Sequence, residues 1–268
     1  MKKRSIIILP IIAVMVVFFH QSVIQKEHPE NASVQILEKT SDAEESSYVV
    51  GVTLPATDFS DIGKILSNKI ADEWKIYDGM TEVQRLSSSK LWGCTGVGVN
   101  TWNECEKTIG LDVENPLESL DMLNKTGYFG MESAENDTTV KHILISANSA
   151  LNSERKLNEI NITAGYSIDN IRITLCATLS SKSGMYTSGS TCNGYASYEE
   201  MATNTGSGIP VLIVTTDEIN NTGYYDSDYF NPTAYWVEDN IFYTLRVFGY
   251  ETDRDEIQAT LERILEGI

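Results

Sequence analysis

With 268 residues, 41% of them hydrophobic, the chain can build one domain with an ordinary core, or two small ones. Its formal net charge is −18, from 38 acidic and 20 basic side chains, and no basic stripe offsets that balance. A polyanion is repelled by such a field, which argues against nucleic acid and direct adsorption to anionic lipid; the charge serves solubility, or attracts a cationic partner.

The chain opens on Lys2, Lys3 and Arg4, followed by an apolar run from Ile6 to Phe19 and then His20, Gln21, Ser22, Val23 and Ile24. Counted through Ile24, the segment reaches about 19 residues, enough to span a bilayer with some thinning. The basic cluster should stay inside and place the remainder outside. Residues 1–24 are therefore expected to form a membrane anchor, contacting lipid through residues 5–24. The rival reading is a cleaved signal peptide and a secreted product, although no small-x-small site directly follows Phe19. Residues 25–47 are polar and acidic, with Glu44, Glu45, Ser46 and Ser47 in a row. They offer little apolar surface against ordering entropy and read as a flexible linker. The folded domain is expected over residues 48–268.

Within that domain, Tyr48 to Val52 reads as a first strand. Between Ser60 and Tyr77, Ile62, Ile65, Leu66, Ile70 and Trp74 fall at helical spacing. Thr81 can cap a second helix running towards Lys90. Thr101 and Glu104 form a capping box, with Trp102, Cys105 and Ile109 on one face and Gly110 as the stop. Asn115, Pro116 and Glu118 predict another short helix. The second half is strand-rich. Ile160, Ile162, Ala164 and Tyr166 alternate with polar residues, as do Ile171, Ile173, Leu175, Ala177 and Leu179, with Asp169 and Asn170 between them as a hairpin turn. Ser180 to Gly194 reads as an exposed hairpin or loop, Val211 to Val214 as a central strand. Ala234 to Val237 and Ile241 to Phe248 flank Glu238-Asp239-Asn240 as a second hairpin. A closing helix should start at a Thr252 cap and bury Ile257, Leu261, Ile264, Leu265 and Ile268. The expected class is α+β: a mainly antiparallel sheet covered by helices, with a helix-rich first half, behind one N-terminal membrane segment.

Four cysteines are present: Cys94, Cys105, Cys176 and Cys192. Outside the cytoplasm they can form disulfides, and the simplest pairing is local, Cys94 with Cys105 and Cys176 with Cys192; four free thiols is the alternative. Cys176 sits on the polar face of its strand, which favours a bond outside the core. No CxxC occurs, and His142 is the only histidine of the domain, so zinc is not expected.

Candidate catalytic features are thin. Ser87-Ser88-Ser89-Lys90 and Lys125-Thr126-Gly127 fit the S-x-x-K and K-T-G elements of penicillin-recognising enzymes, but the S-x-N element is missing and the spacing is short. His142 lies among apolar neighbours and reads as structural rather than as a base. Gly93, Gly96 and Gly98 lack the strand-and-helix frame of a phosphate loop. Asp226 and Asp228 could collect a hard cation, but the full calcium-loop pattern is absent. The aromatic cluster Tyr224, Tyr225, Tyr229, Phe230, Tyr235 and Trp236 could present a recognition surface, though core and hairpin packing explains it better. Of these, Tyr225, Tyr229, Tyr235 and Trp236 are the candidate binding residues. No catalytic residue and no cofactor is expected.

Tyr235-Trp236-Val237-Glu238-Asp239-Asn240-Ile241-Phe242-Tyr243-Thr244-Leu245, followed by the helix from Asp253, resembles the C-terminal end of a family of extracytoplasmic domains in Gram-positive bacteria, in which a WxxDGxxYxL hairpin precedes a closing helix. Asn240 stands where the family has glycine. Tyr77 to Glu82 through Asn115 to Glu118 also resembles proteins of gut clostridia. The family's domains follow one membrane helix, including in anti-sigma-factor-like proteins, and are related to curved-sheet lipoprotein carriers. The resemblance implies a membrane-anchored extracytoplasmic domain with a non-catalytic sensing or binding role at the bacterial cell surface, its partner a protein or small ligand of the envelope. The alternative is a secreted or anchored hydrolase.

Overall fold

The computed structural model describes residues 34–41, 45–60, 64–88, 92–128, 141–149, 155–193, 198–218 and 229–268. The expected membrane segment 1–24 lies outside these residues.

Alternating apolar residues dictate the main sheet. In β6 (Leu157–Ile168) and β7 (Ile171–Ser180) the apolar alternates Ile160, Ile162, Ala164, Ile173, Leu175 and Ala177 are all buried on one face. The two strands meet across Asp169 and Asn170, and β6 residues pair with β7 from Glu159–Ser180 to Ile168–Ile171. Further strands are β3 (Cys94–Val99), β4 (Asn124–Thr126), β5 (Ile143–Ser149), β9 (Tyr198–Asn204), β10 (Pro210–Glu218), β11 (Tyr229–Glu238) and β12 (Ile241–Tyr250). They form a nine-stranded antiparallel sheet in the order β3-β5-β6-β7-β12-β11-β10-β9, with β4 also on β6. The β11–β12 turn holds Asp239 at φ +47° and Asn240 at φ +67°. Two positive φ values define the type I′ turn that suits a two-residue hairpin, and asparagine tolerates them in place of glycine.

Helices cover one face. In α1 (Lys64–Gly79) Leu66, Ile70 and Trp74 are buried; in α3 (Trp102–Ile109) Trp102, Cys105 and Ile109; in α4 (Arg254–Gly267) Ile257, Leu261, Ile264 and Leu265. They join Ile145, Ile162, Leu175, Trp236 and Leu245 in the larger core. Each such aliphatic side chain contributes about 1.5–3 kcal/mol when fully withdrawn from water. The expected capping box is present at Thr101 for α3, the expected cap at Thr81 starts α2 (Glu82–Ser87) and also forms a box with Gln84, and Gly110 ends α3 at φ +76°.

The opposite face carries a second, three-stranded sheet ordered β1-β2-β8, from β1 (Val34–Ser41), β2 (Glu45–Leu54) and β8 (Gly184–Asn193). Val50, Val52 and Leu54 of β2 pack on Val214, Tyr235 and Phe242 of the main sheet in a smaller core, with Val34, Ile36 and Tyr186 at its edge.

The α+β class and the antiparallel sheet are therefore as expected, and several local readings are corrected. Residues 34–41, expected within the linker, form β1, because Val34 and Ile36 reach the small core. The segment after Ser180, expected as an exposed hairpin or loop, contains β8, which pairs along its length with the distant β2. Asn115 to Glu118 make a single turn rather than a helix: the Asn115 side-chain carbonyl accepts from the Leu117 amide and its backbone carbonyl from Glu118. Lys125 and Thr126, read as following a helix, lie on β4. Thr252 belongs to a 3₁₀ turn, Glu251–Asp253, and α4 begins after Asp253. Ile65 is 51% exposed, so the apolar stripe of α1 is narrower than the sequence implied.

Candidate functional site

The antiparallel register of β6 and β7 determines which residues gather at the open end of their hairpin. Ser180 lies opposite Glu159, so Ser181 and Lys182 come beside Asn158 and Leu157, and Arg155 and Lys156 lead into the same end. Ser181 is tied there: its amide donates to the Asn158 carbonyl at 2.9 Å and its hydroxyl to the same oxygen at 3.3 Å. The Thr57 amide donates to the Ser180 carbonyl at 2.8 Å, which carries the segment before α1 past this point.

Between the hairpin end and the flank of α1 lies a half-open cleft of about 510 Å³. Phe59, Ile70 and Leu157 give it an apolar wall, Ser60, Ser67 and Ser181 supply hydroxyls, and Arg155, Lys156 and Lys182 supply positive charge. Its volume falls within the range of small-molecule sites.

Arg155 is the most constrained of the lining residues. Its backbone is left-handed, at φ +47°, a conformation that costs a non-glycine residue about 1 kcal/mol or more. Its guanidinium lies over the Trp74 ring, 4.3 Å from the centroid, and donates to the Asp78 carboxylate at 2.7 Å. That hydrogen bond holds the Asp78 carboxyl below its usual range. Trp74 is fixed in turn, its indole N–H donating to the Ser149 hydroxyl at 2.9 Å and Tyr77 meeting it edge-on at 5.4 Å. Asn158 also lines the cleft, and its side-chain oxygen is buried without a partner among the described residues.

A second polar constellation lies on the outer face of the same strands. The Glu159 carboxylate accepts from the Asn148 side chain at 3.0 Å and from the Asn161 side chain at 2.6 Å; Thr178 donates to the Asn161 oxygen at 2.6 Å. Tyr186 joins from β8, its hydroxyl in hydrogen-bonding contact with Thr178 and Glu159, and burial pushes its ionisation well up. This network spends its polar groups on itself and bridges the two sheets, so it serves architecture rather than reception.

The residues singled out in the sequence fall elsewhere. Tyr235 and Trp236 are 2% and 0% exposed. They point to opposite faces of the sheet, Tyr235 stacking on Phe242 and Trp236 on Tyr243, which removes them as an open recognition surface. Tyr229 pairs through its backbone with Tyr250. Tyr224, Tyr225, Asp226 and Asp228 lie outside the described residues. Cys94, Cys105 and Cys176 are not bonded to one another in this structure, and Cys192 of β8 stands opposite Ser46 of β2. Burial raises Cys105 to about 12 and pushes Cys176 up as well. His142 is buried, one ring nitrogen on the Thr126 carbonyl at 2.8 Å and its edge on Tyr166, and burial lowers its pKa. Lys125 is engaged by Glu118 at 2.6 Å. No group of histidine, cysteine and carboxylate side chains among the described residues could hold a metal.

Fold and cleft together define an α+β domain in which a large antiparallel sheet is covered by helices on one face and by a small sheet on the other, with a cationic cleft at one hairpin end. The chain matches no protein-family profile, no curated protein and no solved structure.

Proposed function

We propose that this chain is a non-catalytic ligand-binding or sensing domain, held at the outer surface of a bacterial membrane by its N-terminal segment. The observation that carries the reading is the cleft beside α1. It combines volume for a small molecule, an apolar wall and fixed polar groups, while the only histidine of the described domain is packed elsewhere against Thr126 and Tyr166. The basic-then-apolar start of the chain supports the placement, as does the C-terminal likeness to anchored Gram-positive domains.

Two measurements test it. Protease added to intact cells should degrade the domain, and fractionation should recover the full-length chain with the membrane; a protected, soluble cytosolic product refutes the placement. Thermal unfolding against a small-molecule panel should give hits that are lost when Ala71, on the cleft wall, is enlarged to Phe. Hits indifferent to Ala71→Phe refute the assignment of the cleft.

A further inference from the structure

Resting on the reading that residues 1–24 anchor the chain, we infer that the outer face of the small sheet lies on the lipid headgroups around that anchor. Strand parity identifies the face. Val50, Val52 and Leu54 of β2 and Tyr186 of β8 point into the small core. Their neighbours Val49, Thr53, Met185 and Thr187 therefore point outward. Leu37 joins them from β1. The β1–β2 register shifts between Ile36 and Glu38, and a β-carbon on Gly51 would fall on the Leu37 side chain. A bulge re-aims a side chain in this way, and glycine at 51 leaves Leu37 room to lie across β2. Leu37 is 43% exposed and Met185 50%, so the small sheet turns two large apolar side chains to the outside.

Two such side chains on a surface are ordinary by themselves. Their position points to the occupant. β1 starts at Val34, which pairs with Val52, and Met185 stands opposite Thr53, the next residue along β2. The apolar patch thus lies at the end of the sheet where the chain arrives from the anchor. Residues 25–33 separate the two, a connection that spans at most about 30 Å when fully extended. With the helices turned to the bilayer, β1 would stand roughly 20–25 Å above it, behind a helix layer about 10 Å across and two sheets about 10 Å apart. The connection would then have to be drawn nearly straight. With the small sheet turned to the bilayer it has slack. The net charge of −18 opposes adsorption of an untethered chain to anionic lipid. The anchor offsets this by holding the face at an effective concentration on the order of millimolar, so that a weak apolar contact suffices. The same orientation turns the helix-covered face away from the lipid.

The test places the photo-crosslinking residue p-benzoylphenylalanine at position 37, 185, 65 or 76, one at a time, in the full-length chain reconstituted in phosphatidylcholine nanodiscs. Ile65 and Ile76 of α1 are each 51% exposed and serve as equally accessible controls on the opposite side. After irradiation, mass spectrometry should find phospholipid adducts at 37 and 185 at least about fivefold more often than at 65 and 76, because the tether concentrates lipid at one face alone. Leu37→Asp in the chain labelled at 185 should cut those adducts about threefold to tenfold, with the far-UV circular dichroism unchanged, as expected for removal of one partly buried apolar contact. Equal adducts on the two faces, adducts indifferent to Leu37→Asp, or chain-to-chain adducts in place of lipid overturn the docking while the chain stays in the disc. A chain recovered free of the discs refutes the anchor itself, and this inference with it.

Discussion

Gly93→Ala should be among the most damaging single-methyl additions to the chain, and the structure allows its cost to be divided. Gly93 stands just before β3 at φ +81°, a conformation that costs an alanine about 1–2 kcal/mol. A β-carbon there would lie 2.6 Å from the Ser149 hydroxyl and 2.6 Å from Cζ2 of Trp74. Neither neighbour can easily withdraw. The two are hydrogen-bonded to each other, the Gly93 carbonyl accepts from the Ser149 amide at 2.8 Å, and Trp74 lies beneath the Arg155 guanidinium. Overpacking of this kind adds about 1–3 kcal/mol, for a total of about 2–5 kcal/mol. With a urea dependence of about 2 kcal/mol per molar, the unfolding midpoint should drop by roughly 1–2.5 M, followed by far-UV circular dichroism. Two controls separate the terms. Gly208, at φ +93° with no atom within 4 Å of the added carbon, carries the backbone cost alone, about 1–2 kcal/mol. Gly79, which also has open space and ends α1 with ordinary helical backbone, should gain about 0.5–1 kcal/mol from alanine. Equal losses at Gly93 and Gly208 would refute the packing of Trp74 and Ser149 described here.

Four further outcomes follow from individual contacts. Trp102→Phe removes the indole N–H that donates to the Val113 carbonyl at 2.6 Å and leaves that buried oxygen unpaired, a loss of about 1–3 kcal/mol in urea unfolding. Thr101→Ala opens the capping box of α3 and should cost about 1 kcal/mol, with Thr101→Ser recovering most of it. His142 is held below its usual value of 6.5, chiefly by burial, so the unfolded chain takes up a proton at higher pH than the folded one. Stability should fall as pH drops below about 6.5 towards the folded value, and His142→Gln should flatten that part of the profile. In the reduced chain, maleimide at pH 8 should react slowly with Cys105 and Cys176, whose thiols are raised by burial, and quickly with both in urea; equal rates in the two states would contradict their environments.

Where the apolar pattern was strong, the fold was legible from the sequence. The period-two runs of β6, β7 and β12, the Asp-Asn turns, the cap at Thr81 and the capping box at Thr101 all carry their structure locally. What failed depends on distant partners. β1 and β8 are polar strands with little intrinsic signal, and they order by adding to β2 on either side. Asn115-Pro116-Glu118 has the residues of a helix start, yet the Asn115 amide is drawn to the Tyr166 hydroxyl at 2.8 Å, and the chain turns away after one loop. Of the aromatic cluster near the C-terminus, Tyr235 and Trp236 pack, the better of its two readings: consecutive aromatics on a strand point to opposite faces, and here both faces are covered. The cleft left a signal that could have been read. Once the β6–β7 hairpin is folded about Asp169 and Asn170, its register brings Arg155, Lys156 and Lys182 to one end, a basic cluster that linear spacing hides.

Side-chain parity along β7 links the fold to the cleft. Ile173, Leu175 and Ala177 face the helices, so Thr174, Cys176 and Thr178 must face the other way. Where β10, β11 and β12 present Val214, Tyr235 and Phe242 on that side, the small sheet has apolar surface to cover and settles there. The polar outer residues of β5 and β6 offer no such surface, and they meet their needs through the Asn148, Glu159, Asn161 and Thr178 network instead. The connection from β7 to β8 must therefore leave the main sheet at Ser180 to reach the small one. That departure carries Ser181 and Lys182 over the end of β6, where α1 passes on the helix side. The cleft occupies the corner where one chain segment changes sheets, and Lys182 sits on that connection, opposite Arg155 and Lys156 at the start of β6. Repacking the small core, for instance by Phe242→Ala, should loosen β8 and weaken ligand binding in the cleft without touching its wall. A mutant that lost several kcal/mol of stability yet bound a hit from the small-molecule panel as tightly as the parent would show the corner to be independent of the sheet exchange.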